Sequence, residues 1–202
     1  MHGIDDTEAK DVLDGSGIQC GWWRRVGAIT PREVAERLTS ADLELHVNAY
    51  SRPHPTRPGL VSEETPFISL AAGAVERNTF LKTNLVYPAH LTALQFASDF
   101  GRLRGDCYLF YCWVVVGLTP AVPVEHLAEE VRELTTYRRY SHYQLEGEVT
   151  AKVIVPASQI HRYEKYTISD DGSGGIDLRL VESVVNPAYV DPSAVVSIRS
   201  AF

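Results

Sequence analysis

Glu146 and Glu148 stand two residues apart and are followed by an apolar run. In an extended strand, residues i and i+2 point to the same face, so both carboxylates project into one space. Like charges that close repel. One pKa rises, and the pair can divide two tasks, one group staying ionised while the other handles a proton. By itself the pair also fits two solvated acids on a strand edge. Its setting is the stretch from Tyr140 to Tyr166, in which Glu146-Gly147-Glu148-Val149 leads through Val155-Pro156-Ala157-Ser158-Gln159-Ile160 into a tyrosine-rich segment.

The chain that must position these groups has 202 residues, 45% of them hydrophobic, and a net charge of −7. That suits one globular domain with a sizeable core. The acidic balance argues against broad binding of a phosphate backbone, which needs clustered Lys and Arg. It leaves a single nucleotide ligand open, so nucleic acid is disfavoured as a partner without being excluded. Cys20, Cys107 and Cys112 are an odd count without metal-ligand spacing. They imply a reducing compartment, with one disulfide plus a free thiol as the alternative. Residues 1–17 carry four aspartates and one glutamate and read as a flexible leader. They lack the basic and apolar regions of a classical signal peptide. The longest uncharged apolar run, Cys107 to Pro120, is shorter than the roughly 20 residues of a membrane helix. It reads as a buried strand up to Leu118.

Gly21 to Val26 reads as a short aromatic strand. Thr30, Pro31 and Glu33 form a capping box that starts a helix running to about Thr39. Leu45 to Tyr50 reads as a short strand, and Ser51 to Gly59, with its three prolines, as an irregular loop. Thr65 to Ala72 reads as a strand ending in small residues. Residues 77–88 show no clear period, and Pro88 to Phe100 fits a helix. Val124, Leu127, Val131 and Leu134 have helical spacing, which predicts a helix from Pro123 to Leu134. Ser169 to Gly175 is a glycine-rich linker, and residues 176–202 read as an edge hairpin or a segment that docks on a partner.

The order Glu146-x-Glu148-Val149, apolar strand, Val155-Pro156, then Ser158-Gln159-Ile160 resembles the catalytic end of cholera-toxin-like mono-ADP-ribosyltransferases. Two further landmarks of that family have counterparts upstream. Trp22-Trp23-Arg24, followed by Ile29-Thr30-Pro31-Arg32-Glu33, is similar to its strand ending in arginine. Phe67-Ile68-Ser69-Leu70-Ala71 is similar to its aromatic-hydrophobic-Ser-Thr-Ser strand, with Leu70 and Ala71 departing from the last two positions. The resemblance spans residues 22–166. It implies an α+β fold of two facing, mainly antiparallel sheets with helices around an NAD cleft. The domain would cover 18–168, with 169–202 as linker and appendage.

The resemblance also implies roles. Arg24 holds NAD, with Arg25 as the adjacent alternative, since only one of two neighbouring strand residues can face the cleft. Ser69 orients the catalytic glutamate. Phe80 or Tyr87 stacks on the nicotinamide. Glu148 is the catalytic carboxylate, and Glu146 the base that activates an arginine acceptor. Tyr137, Arg138, Tyr140 and Tyr143 are candidate target contacts. NAD is the substrate, no metal is needed, and a protein arginine is the expected acceptor. Such a chain would act in the cytoplasm, or as a secreted or injected toxin or effector. The alternatives are a nucleic-acid-modifying or NAD-hydrolysing relative, and a non-catalytic domain of the same fold that binds a partner.

Overall fold

The computed structural model describes residues 5–72, 74–78, 83–87, 89–97, 105–117, 127–130, 148–173 and 176–195. It mixes helices with mainly antiparallel sheets, an α+β architecture. The chain divides into two compact units, each built from discontinuous segments, where the sequence predicted one domain between a leader and an appendage.

The unit built from residues 19–92 and 114–154 holds helices α2 (Gly21–Val26), α3 (Pro31–Arg37), α4 (Ser40–Ala49) and α5 (Val61–Glu64), numbered after α1 (Asp6–Asp11). Its main sheet has the order β2 (Phe67–Ala71), β8 (Glu148–Lys152), β7 (Leu127–Glu130), β6 (Val115–Gly117). A separate hairpin joins β3 (Ala74–Asn78) to β4 (Thr83–Tyr87), and β1 (Ile18–Gln19) and β9 (Ile154–Val155) are two-residue strands. Pairing is antiparallel for β2–β8 and β7–β8 and parallel for β6–β7.

Gly21 to Val26 is a helix, and the expected strand is corrected. Gly27, at φ 78, ends it in the left-handed conformation, its N–H bonding the Trp23 carbonyl. A side chain at Gly21 would meet the Ser62 carbonyl at 1.9 Å, so only glycine lets α2 approach α5 so closely. Trp22 is buried with Val34, Leu38, Leu43, Val47 and Phe67.

The α3 capping box forms as predicted, Thr30 accepting from the Glu33 N–H while the Glu33 carboxylate accepts from Thr30. Leu45 to Tyr50 is the second correction. Thr39 caps a helix that begins at Ser40, with Leu43, His46 and Val47 on its buried side. That cap lies upstream of the segment whose local alternation suggests a strand. The loop from Ser51 to Gly59 is irregular as expected. It is tied to α4 by Arg57, whose guanidinium donates to both oxygens of buried Asp42 at 2.6 and 3.0 Å.

Leu127 to Glu130 is a strand where helical spacing predicted a helix; Val124, Val131 and Leu134 lie outside the described residues. Pairing on both sides decides it, because β8 and β6 each need a neighbour for their backbone groups. The run from Cys107 to Leu118 also divides. β5 (Gly105–Cys112) belongs to the other unit, and the chain turns at Trp113, whose N–H bonds Gln159 O and whose indole bonds Val190 O.

At the end of β8, Val153 has φ 65, a strained value for a β-branched residue. Its N–H bonds Pro66 O at 2.7 Å and its carbonyl accepts from Cys20 N–H at 2.9 Å, which hold it there.

The other unit contains residues 1–18, 93–113 and 155–202. Its antiparallel sheet runs β11 (Ile176–Val185), β10 (Ile160–Asp170), β5. The appendage read from the sequence is thus an integral strand. The second half of α6 (Ala89–Ala97) covers one face through Leu94, against Cys107, Leu109 and Ile168. Residues 5–17, read as a loose leader, are helical. Asp5 and Glu8 cap α1 reciprocally, Ala9, Val12 and Leu13 are buried, and Asp6 bonds Lys165 and the Tyr108 hydroxyl. All three cysteines are free. Among the described residues no helix is long and apolar enough to cross a membrane.

Within the first of these units, Glu64 has no exposed surface and pairs with Arg37 at 2.9 Å and Arg25 at 2.5 Å. Glu64→Ala leaves both guanidiniums without their counter-charge. Because Arg25 is 40% and Arg37 20% exposed, water can solvate both, and the expected loss is about 1–3 kcal/mol of unfolding free energy, measured by urea titration of the two proteins.

Candidate active site

The pairing of β2 with β8 brings the predicted serine to the predicted glutamate. Ser69 lies opposite Thr150, and Ala71 opposite Glu148. Opposed residues of an antiparallel pair share a face, as do residues i and i+2. Ser69 and Glu148 are therefore diagonal neighbours on one face, at a backbone separation on the order of 7–8 Å. Ser69 is exposed and Glu148 half-buried, whereas Thr150 beside them is fully buried with no hydrogen-bond partner on its hydroxyl.

The two arginines separate because α2 is a helix. Arg25 turns to α5, its Nη2 on Glu64 and its Nε donating to the Glu63 carbonyl at 3.3 Å. Arg24, one residue earlier, is exposed. Its charge reaches the Tyr50 hydroxyl, and so does that of Glu148. Burial raises the Tyr50 pKa, Arg24 lowers it and Glu148 raises it. Arg24 and Glu148 thus lie within electrostatic range of the same phenol. Arg25 is engaged in holding the helix, and Arg24 is the arginine whose charge acts on the Tyr50 hydroxyl.

His46 and Tyr50, missing from the sequence-based set, complete this surface. They stand four residues apart at the end of α4, their rings edge to face at 5.3 Å. His46 Nε2 lies 2.9 Å from Ser69 Oγ and Nδ1 lies 2.9 Å from Thr65 Oγ1. The Phe67 N–H donates to that same Thr65 oxygen at 3.2 Å. If Thr65 donates to Nδ1, the imidazole carries its proton on Nε2 and donates it to Ser69. The Ser69 hydroxyl is then left to donate onward to a carboxylate. The opposite tautomer consumes that proton. A signal for the pair was present in the Thr39–Asp42 cap and the three- and four-residue spacing of Leu43, His46, Val47 and Tyr50.

Glu146 and Phe80 lie outside the described residues, as do the candidate target contacts Tyr137, Arg138, Tyr140 and Tyr143. Tyr87 ends β4 opposite Ala74.

No family model and no curated protein matches the sequence. A solved structure of a heat-labile enterotoxin double mutant is similar at a TM-score of 0.43 and 16% identity, over 91% of this chain and 60% of that one. A likeness that slight carries no argument, and the residues above stand on their own geometry.

His46 is 3% exposed, and burial lowers its pKa from 6.5 to about 4. The unfolded chain takes up this proton near pH 6.5, the folded chain only near pH 4. Stability therefore falls as pH drops through that window, by up to roughly 3 kcal/mol from this group, and is flat above it. Urea unfolding from pH 7 to 4 measures the slope, and His46→Asn removes this part of it.

Proposed function

We propose that the chain is a mono-ADP-ribosyltransferase that moves ADP-ribose from NAD to a protein arginine and releases nicotinamide. The observation that carries this reading is the β2–β8 register, which makes exposed Ser69 and half-buried Glu148 diagonal neighbours on one face. Arg24 and Glu148 sharing the field at Tyr50 supports it further.

The chemistry follows from the groups. Arg24 offers a planar fork of donors suited to a phosphate of the diphosphate. The bond between nicotinamide and C1′ of its ribose breaks with its electron pair going to the nicotinamide nitrogen, which loses its positive charge. Positive charge develops on the ribose ring, as in glycoside cleavage, and the Glu148 carboxylate stabilises it. The Ser69 hydroxyl, backed by His46, holds that carboxylate's rotamer. The acceptor guanidinium nitrogen then bonds to C1′, and its proton passes to Glu146 as general base. Because guanidinium resists deprotonation, a base beside the acceptor is needed.

Nicotinamide release from NAD tests the reading, with and without agmatine as an arginine analogue. Wild type should release nicotinamide, faster with agmatine present. Glu148→Gln should lower release by about 10²–10³-fold while NAD still binds. Undiminished release in that variant would remove Glu148 from the mechanism. Release that agmatine leaves unchanged would point to hydrolysis or another acceptor. Absence of both release and NAD binding would make the chain a non-catalytic binding domain. Glu146→Gln should depress transfer to agmatine far more than hydrolysis of NAD, measured on the same preparation.

A further inference from the structure

Strand β11 lies at the edge of its sheet, and among the described residues no strand pairs with its outer side. It is ten residues long. Leu178 is 39% exposed, Leu180 and Val181 are each 50% exposed, and Val185 is 60% exposed. An edge of that length, with apolar side chains and unpaired backbone groups, is an open template for a further strand.

The strand has one irregularity. Lys165 of β10 pairs with Glu182 and Tyr166 with Leu180, so Val181 is an extra residue. A bulge shifts the alternation of faces by one position. Before it, Leu178 and Leu180 share a face with Ile168 and Tyr166. After it, Ser183 and Val185 share that same face, with Glu164 and Arg162. Arg179 and Glu182 lie together on the opposite face, beside Thr167 and Lys165. The bulge falls at the middle of Ile176–Val185, so the strand is self-complementary about its own centre.

Two copies laid antiparallel about that centre place Arg179 of each against Glu182 of the other. Leu178 meets Ser183, and Asp177 meets Val184. Every such pair sets like face on like face, which a two-fold pairing of strands requires. An unbulged strand in this register would set each residue against one from the wrong face. Sliding by two residues destroys the match. One direction sets Asp177 against Glu182, and the other sets Arg179 against Val184.

We propose that β11 is a homodimer interface, through which two copies of this chain join their sheets antiparallel with Arg179 paired to Glu182 across the two-fold axis. Edge charges and bulges also serve to keep strands apart. A repelling edge sets like charges against each other, whereas this one sets opposites. The contact is isologous and closes on itself, with β5 the other edge of the sheet among the described residues, so it makes dimers without propagating.

Sedimentation velocity over a concentration series tests this on the full chain. Wild type should show a concentration-dependent dimer. Arg179→Glu and Glu182→Arg each put two like-charged pairs into the interface and should weaken dimerisation by about tenfold or more. The double variant restores opposite charges in reversed order and should recover the dimer. Because Glu182 also lies beside the Tyr163 hydroxyl, Arg179→Glu decides the matter if Glu182→Arg fails to fold. A wild type that stays monomeric throughout overturns the proposal, as does a dimer that Arg179→Glu leaves unchanged.

Discussion

A carboxylate with no exposed surface, Glu64, holds the arginine-bearing helix in place. Burying a charge is costly unless it is paired, and Glu64 is paired twice, with Arg25 and with Arg37. Arg37 also bonds the Glu64 carbonyl at 3.0 Å and stacks its guanidinium 4.2 Å from the centre of the Trp22 ring. Three helices thereby meet at one ion cluster. Arg25 is committed to α5, and Arg24 beside it is exposed on the same helix. The second arginine of the pair is therefore part of the support.

Around this anchor the candidate site draws on elements far apart in sequence. Helix α2 supplies Arg24, α4 supplies His46 and Tyr50, β2 supplies Ser69, and β8 supplies Glu148. The backbone ladder between β2 and β8 does the alignment. A one-residue slip would turn Glu148 to the other face and separate it from Ser69. The strained turn at Val153, bonded to Pro66 and Cys20, lies just beyond β8 and resists such a slip. Support for Ser69 comes from across the unit, through His46 and Thr65, and both ring nitrogens of His46 are occupied.

The second sheet has its own logic. Lys165 bridges Asp6 and Asp106, each at 2.8 Å, and fastens α1 to β5 and β10. Hydrogen bonds to both carboxylates hold the Lys165 pKa above its ordinary range. On the other face Glu164 accepts from the Tyr111 and Tyr166 hydroxyls at 2.7 Å and from Arg162 Nε at 3.0 Å. These polar ties stiffen β5 and β10, leaving β11 as the strand with most of its surface open.

What the sequence determined by itself is local chemistry at short range. The α3 cap, the irregular proline loop, the strand carrying Ser69 and the helix after Pro88 all follow from neighbours a few residues apart. Tertiary structure decided the rest. Trp22-Trp23-Arg24 has the composition of a strand, yet it folds as a helix because Trp22 is buried in the core and Gly21 lets the backbone approach Ser62. Leu127 to Glu130 has helical spacing, yet it is a strand because β8 and β6 need pairing there. His46 looks like an ordinary polar residue until the chain brings it between Ser69 and Thr65. Residues 176–185 look like a tail until the register shows a strand with β10. In each case the deciding partner is distant in sequence, and its backbone hydrogen bonds or buried surface outweigh a local preference of a few tenths of a kcal/mol to about 1 kcal/mol per residue.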